Sequence, residues 1–171
     1  FLNTYLESDN EKTNSVHILT KEEQQKIVYD FNDGDLLSNS KTGTILNLFE
    51  NQVQETPEAL AVFFDEETIT YRELDEKTNQ LARYLQNHGV GKNTLVPICI
   101  ERSVEMIIAI IGVLKSGGAY VPIAPKYPQS RIKFILEDID ASIVLTQEIH
   151  HLKFTSNEVT IPTVFLDKWS D

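Results

Sequence analysis

From Leu60 onward the chain switches repeatedly between a two-residue and a three-to-four-residue hydrophobic period. Residues 60–64 and 68–71 are short β-branched and aromatic runs around Glu66-Glu67, which predicts a small hairpin. Leu74, Thr78, Leu81, Ala82 and Leu85 then recur at helical spacing. Thr70-Tyr71-Arg72-Glu73 reads as a capping box that opens this helix, and Asn87-His88-Gly89 closes it. Residues 95–100 predict a strand. Ser103 is placed to cap a following helix that carries Ile107, Ile110, Ile111 and Leu114 and ends at Gly117-Gly118. A strand over 119–123 comes next. Pro128 suits the first turn of a helix with Ile132, Ile135, Leu136 and Ile139 on one face. Residues 142–145 and 163–166 predict two more strands. Strands and helices in alternation, with Val and Ile on both strand faces, predict an α/β fold: a largely parallel sheet with flanking helices.

The upstream third is less regular. Leu46, Phe49 and Val53 lie on one stripe of a helix predicted over 45–55, which Thr56-Pro57 ends because a residue before proline is pushed out of the helical region. Residues 8–15 are almost wholly polar and read as a connector. Thr20-Lys21-Glu22-Glu23 forms a second capping box, followed by Ile27, Val28 and Phe31 at helical spacing and a stop at Asn32-Asp33-Gly34. This amphipathic helix needs a partner for its apolar face. Phe1, Leu2 and Leu6 are spaced as if already inside a helix, and the chain reads as a piece of a longer polypeptide.

Composition narrows the function classes. With 171 residues, 41% of them apolar and 24% charged, the chain suits one domain with an attached linker. Its 26 acidic against 15 basic side chains give a net charge of −11. That balance argues against a surface tracking nucleic-acid phosphates and against docking to an anionic membrane. The apolar run over 106–114 is far short of a membrane span, and no signal peptide opens the chain. One cysteine, Cys99, can form neither an intramolecular disulfide nor a Cys-based zinc site, which fits a cytoplasmic location.

Candidate chemistry is sparse. Gly112 ahead of Lys115-Ser116 lacks the glycine spacing of a phosphate loop, so a helix end with a glycine stop is the better reading. No GxGxxG follows a strand. His150-His151 points in two directions with no ligand set nearby and reads as a surface pair in a loop; His17 and His88 are isolated. Cys99 inside an apolar strand reads as a small buried hydrophobe, and Glu22-Glu23 suit a helix N-terminus. No residue is assigned as catalytic, cofactor-binding or metal-ligating.

Two stretches carry a specific resemblance. Ile69-Thr70-Tyr71-Arg72-Glu73-Leu74 resembles the first core motif of adenylation domains in nonribosomal peptide synthetases. The run from Leu114 and Lys115 through Ser116, Gly117, Gly118, Ala119, Tyr120, Val121, Pro122 and Ile123 to Ala124 resembles their second. Order and spacing around them agree: Leu48-Phe49-Glu50 with Thr56-Pro57, Glu101-Arg102-Ser103, Pro125-Lys126-Tyr127-Pro128 with Arg131, and Leu136-Glu137-Asp138. The resemblance runs over 44–147. Residues 1–40 resemble the tail of a condensation domain and its linker, which makes 41–171 the N-terminal portion of the adenylation domain. His150-His151 does not match the condensation signature HHxxxDG, because Thr155 and Ser156 stand where Asp and Gly are required. Ala124 stands where the family has Asp; an Asp there could accept backbone hydrogen bonds, so the following loop is expected to be looser or held otherwise.

The resemblance implies a parent ligase of secondary-metabolite synthesis that uses ATP and magnesium to form an aminoacyl adenylate. The acyl group then passes to the phosphopantetheine thiol of a carrier domain. It also implies the condensation domain, the rest of the adenylation domain and the carrier domain as partners, and neither nucleic acid nor membrane. In the family the phosphate loop, acidic residues, mobile lysine and amino-acid pocket follow the second motif, so this chain is expected to be scaffold and inactive alone. The motif residues Thr70, Tyr71, Glu73, Leu74, Leu114, Lys115, Gly117, Gly118, Ala119, Tyr120 and Pro122 are expected to be structural. Two alternatives stand beside this: another adenylate-forming enzyme such as an acyl-CoA ligase, or a non-catalytic docking module that uses the helix at 20–31.

Overall fold

The computed structural model describes residues 19–30, 43–156 and 159–169. Two compact units divide the chain, Phe1–Thr42 and Gly43–Asp171. In the first, Thr20 caps α1 (Lys21–Gln25) through the foreseen box. The Glu23 amide donates to the Thr20 hydroxyl (3.1 Å), and the Thr20 amide donates to the Glu23 carboxylate (2.9 Å). The helix continues as a wider turn over Lys26–Asp30, with Ile27 and Tyr29 exposed. The readings made on residues 1–18 and on the stop at 32–34 lie outside the described residues.

The second unit opens with α2 (Ile45–Glu55), capped by Thr44 and Asn47 and ended at Thr56 as expected. Strands β1 (Leu60–Phe64) and β2 (Glu67–Thr70) pair antiparallel. Their turn falls on Asp65-Glu66, one residue before the expected centre, because Asp65 takes the left-handed conformation (φ 52°) that a tight hairpin demands. Helix α3 (Tyr71–Asn87) buries Leu74, Thr78, Leu81, Ala82 and Leu85, the five residues of the predicted face. The others are β3 (Leu95–Cys99), α4 (Val104–Ser116), β4 (Ala119–Pro122), α5 (Gln129–Asp138) and β5 (Val144–Thr146). The short pair β6 (Thr155–Ser156) and β7 (Val159–Thr160) precedes β8 (Thr163–Phe165).

Four parallel strands form the main sheet in the order β4-β3-β5-β8. Alternate strand residues supply two cores, one on each face. Val96, Ile98, Leu145 and Val164 pack with α3 and α4; Cys99 and Val144 pack with Ile132 and Leu136 of α5 and with Phe154. The connection from β3 to β4 therefore runs over one face and that from β4 to β5 over the other. Among the described residues no helix is long and apolar enough to cross a membrane.

Three expectations are corrected. The deeply buried face of α4 is Val104, Ile108, Ala109, Gly112, Val113 and Ser116, while Ile107, Ile110, Ile111 and Leu114 are half-buried. The helix is apolar on every side, so periodicity could not choose its inner face. Ser103 precedes the helix but makes no capping hydrogen bond, and its buried hydroxyl has no partner among the described residues. Pro128 is the residue before α5 rather than in its first turn.

Candidate functional site

The two motif stretches meet at the junction of α2, α3 and α4. The Thr70 hydroxyl accepts from the Glu73 amide (3.2 Å), and the Thr70 amide donates to the Glu73 carboxylate (2.8 Å). The Thr70 amide first, and then the Thr70 hydroxyl, which donates to the same carboxylate oxygen (2.9 Å), hold the Glu73 carboxyl below its ordinary pKa. The next residues place Tyr71 against Phe49, ring centres 6.2 Å apart, and bury Leu74.

One turn further, α3 presents Asp75 and Asn79, four residues apart on one stripe. Lys115, near the end of α4, reaches both: its ammonium donates to Asp75 Oδ1 (2.6 Å) and to Asn79 Oδ1 (2.8 Å). The Asn79 amide donates in turn to Asp75 Oδ2 (2.8 Å), and the Phe49 ring lies 5.1 Å from the ammonium. The Lys115 side chain is only 7% exposed and that of Asp75 26%. The lysine that most resembles a phosphate ligand in sequence is thus spent on a clasp tying the second motif to the helix of the first. Sequence reading missed this clasp. The available signal was a lone lysine near the end of a largely apolar helix.

The second motif then turns sharply. Gly117 is left-handed (φ 90°), its amide donating to the Leu114 carbonyl (3.1 Å) and that of Gly118 to the Val113 carbonyl (3.2 Å). A Cβ at Gly118 would come within 2.9 Å of Val90 Cγ1 and 3.2 Å of the Thr94 carbonyl oxygen. That carbonyl accepts from the Ala119 amide (2.9 Å), which sets the start of β4 beside β3.

Beyond β3 and β4 lies a crevice of about 550 Å³. It sits where the two connections leave for opposite faces, the position at which open parallel sheets admit ligands. Ile98, Met106, Ile110 and Tyr120 make its apolar wall, with Glu101, Arg102 and Lys126 at its edge. Pro122, Ile123, Ala124 and Pro125 line it as the motif leaves the strand. The loop at Ala124 is not left open: the Tyr127 amide donates to the Ala124 carbonyl (2.9 Å), so the turn is closed by backbone without an Asp side chain.

The histidine pair is corrected. His150 and His151 lie in a 3-10 turn, Glu148–Lys153, which points them apart. His151 is exposed, but the His150 side chain is 12% exposed, with Nε2 3.6 Å from Glu101 Oε1 and without a hydrogen bond among the described residues. His88 stacks on Tyr84 at the end of α3. Cys99 is fully buried, and burial pushes its thiol up to about 11. No group of three or more His, Cys, Asp or Glu side chains among the described residues is placed to hold a metal ion.

With this geometry in hand, comparison with known proteins is specific. The sequence profile of the family described as "AMP-binding enzyme" matches residues 49–170. Bacitracin synthase 3 of Bacillus licheniformis is 45% identical over 140 residues, a match that covers 82% of this chain and 2% of that protein. The solved nonribosomal peptide synthetase FmoA3 aligns with a TM-score of 0.62 at 32% identity, over 70% of this chain and 13% of FmoA3. The O-succinylbenzoate coenzyme A synthetase of Bacillus subtilis, solved in complex with AMP, aligns with a TM-score of 0.61 at 25% identity, over 70% of this chain and 31% of the synthetase. The chain thus spans under a third of each.

Proposed function

The chain belongs to the family of AMP-binding enzymes, and from that premise we propose that it is the N-terminal scaffold of an amino-acid-adenylating domain in a nonribosomal peptide synthetase. Residues 1–40 are then the condensation-domain tail and linker, and 41–171 the first portion of the adenylation domain. The parent joins an amino-acid carboxylate to the α-phosphate of ATP with release of pyrophosphate, and delivers the acyl group to a carrier-domain phosphopantetheine thiol with release of AMP. Its cytoplasmic setting keeps Cys99 reduced. In the structural alignments the identity to the peptide synthetase FmoA3, 32% against 25% for the coenzyme A synthetase, supports an amino acid over other acyl substrates.

The observation that carries the scaffold reading is that the motif side chains are already used internally. Thr70 and Glu73 close a helix cap, Leu74 is buried, and Lys115 is clasped by Asp75 and Asn79. Gly117 and Gly118 serve a turn into β4 that a side chain at Gly118 would crowd. The described residues therefore do not fit a magnesium nucleotide: the candidate lysine is engaged and no carboxylate set is arranged for the metal. We assign nucleotide, metal and amino-acid contacts to parts of the parent enzyme outside this stretch, where preorganised donors meet the charge of the transferring groups.

A chimera tests this reading. Residues 43–169 are placed in an adenylation domain of bacitracin synthase 3, and amino-acid-dependent ATP–pyrophosphate exchange is measured. The expected result is exchange with the host's own amino-acid preference. A folded chimera that exchanges nothing, or that changes its amino acid, overturns the proposal.

A further inference from the structure

Two buried side-chain polar atoms lack a hydrogen-bond partner among the described residues, Ser103 Oγ and His150 Nε2, and both bear on the loop at 101–103. A buried donor or acceptor left unpaired costs free energy that one hydrogen bond recovers. Ser103 is extended (φ −170°, ψ 174°) just before α4, which is the residue type and backbone of a helix cap, yet its hydroxyl makes no capping bond. The threonines that open α1, α2 and α3 all close theirs. His150 faces the same loop: its Nε2 lies 3.6 Å from Glu101 Oε1, just beyond hydrogen-bond reach. The Glu101 side chain is 64% exposed and so has room to move. Both ends of the loop are held, at Glu101 by its amide's bond to Gln147 Oε1 (2.9 Å) and at Val104 by burial in the core. Between these anchors Glu101 and Arg102 are exposed and line the crevice beyond β3 and β4.

We propose that residues 101–103 form a two-state latch on the edge of that crevice, and that the structure shows it open. In the closed state the Ser103 hydroxyl accepts from the Met106 amide, three positions on in α4, and His150 Nε2–H donates to the Glu101 carboxylate. The neutral ring with its proton on Nε2 suffices for this bond. A loop shift of about 1 Å brings the carboxylate within reach. The two bonds fall on three consecutive residues pinned at either end, so they are gained in one movement. Closing ties the Glu101 carboxylate to a buried side chain and holds Arg102 between two fixed neighbours; opening leaves both crevice side chains loose. A group that enters the crevice and touches Glu101 or Arg102 then shifts the latch by its difference in affinity for the two states.

Relaxation-dispersion NMR on the isotope-labelled 171-residue chain tests the latch, because it reads exchange between states on the μs–ms timescale. The backbone amides of 101–106 and the ring nitrogens of His150 should exchange at one common rate. Ser103→Ala removes the cap and should cut the exchange contribution roughly threefold or more at His150 as well as at Met106. Glu101→Ala changes an exposed side chain, leaves the core untouched, and should have the same effect at Met106; it decides the matter if Ser103→Ala does not fold. Ile149→Lys, 81% exposed on the same turn as His150, should alter neither site. Absence of exchange above the chain's background overturns the proposal. So do different rates at the two sites, or a substitution at one that leaves the other unchanged. A resident water bonded to either atom in an exchange-free chain overturns it as well, since the unpaired atom then has a fixed partner.

Discussion

Replacing Lys115 by methionine separates a structural lysine from a phosphate ligand. Methionine preserves most of the volume and removes the charge, leaving Asp75 without its ammonium partner. Breaking a buried ion pair from one side costs about 3–5 kcal/mol. Because Asp75 is 26% exposed, water solvates part of the stranded charge, so the lower end, about 3 kcal/mol, applies. Asp75→Asn strands Lys115 instead, at 7% exposure but still bonded to Asn79, and a loss of about 2–3 kcal/mol follows from the same reasoning. The double variant carries neither charge and should lose only about 1–2 kcal/mol, which leaves a coupling of about 3–5 kcal/mol between the two sites. Urea unfolding at pH 7 reads these values from midpoints at constant slope. A Lys115→Met loss of 3 kcal/mol moves the midpoint by roughly 1–2 M. A Lys115→Met chain as stable as wild type, or a coupling near zero, refutes the clasp. So would a chimera in which Lys115→Met leaves stability intact and abolishes nucleotide binding.

Gly118→Ala pushes a methyl group against Val90 and the Thr94 carbonyl, and overpacking of this kind costs roughly 1–3 kcal/mol. It should show as lower folding yield and a lower urea midpoint; a variant that folds normally but cannot support exchange in the chimera contradicts the scaffold role. Glu73 has a lowered folded-state pKa, so its stabilisation is present above the ordinary carboxylate range and lost as pH falls through the lowered value. The stability difference between wild type and Glu73→Gln should therefore shrink below about pH 4, as read by acid titration of the unfolding midpoint, and a difference independent of pH excludes the carboxylate cap. Cys99, buried with its thiol raised to about 11, should resist a disulfide reagent at pH 8 until the chain unfolds. Labelling at the same rate in buffer and in urea contradicts its burial.

Local signals carried the fold well. The capping boxes at Thr20 and Thr70 and the five-residue face of α3 needed only neighbours three or four positions away, and the structure has them where the spacing puts them. The parallel sheet followed from the alternation of elements. What sequence reading missed depends on contacts far along the chain or on surfaces without contrast. The Lys115 clasp joins residues 36 and 40 positions apart, beyond any local period. The inner face of α4 was illegible because leucine, isoleucine and valine surround the helix. His150 reads as a loop residue in sequence because nothing local announces that a 3-10 turn tucks it toward Glu101. The motifs themselves, read physically, announced caps and turns rather than chemistry, and the geometry around them has that form.

The central claim is that this stretch builds the frame of an adenylating enzyme and leaves the nucleotide to other parts of it. The most direct measurement is ATP–pyrophosphate exchange by the purified 171-residue chain, with each amino acid in turn, alongside equilibrium binding of magnesium ATP. The account predicts exchange at background for every amino acid and no saturable nucleotide binding. Amino-acid-dependent exchange by the chain alone would contradict it and return Lys115 and the crevice beyond β3 and β4 to the active site.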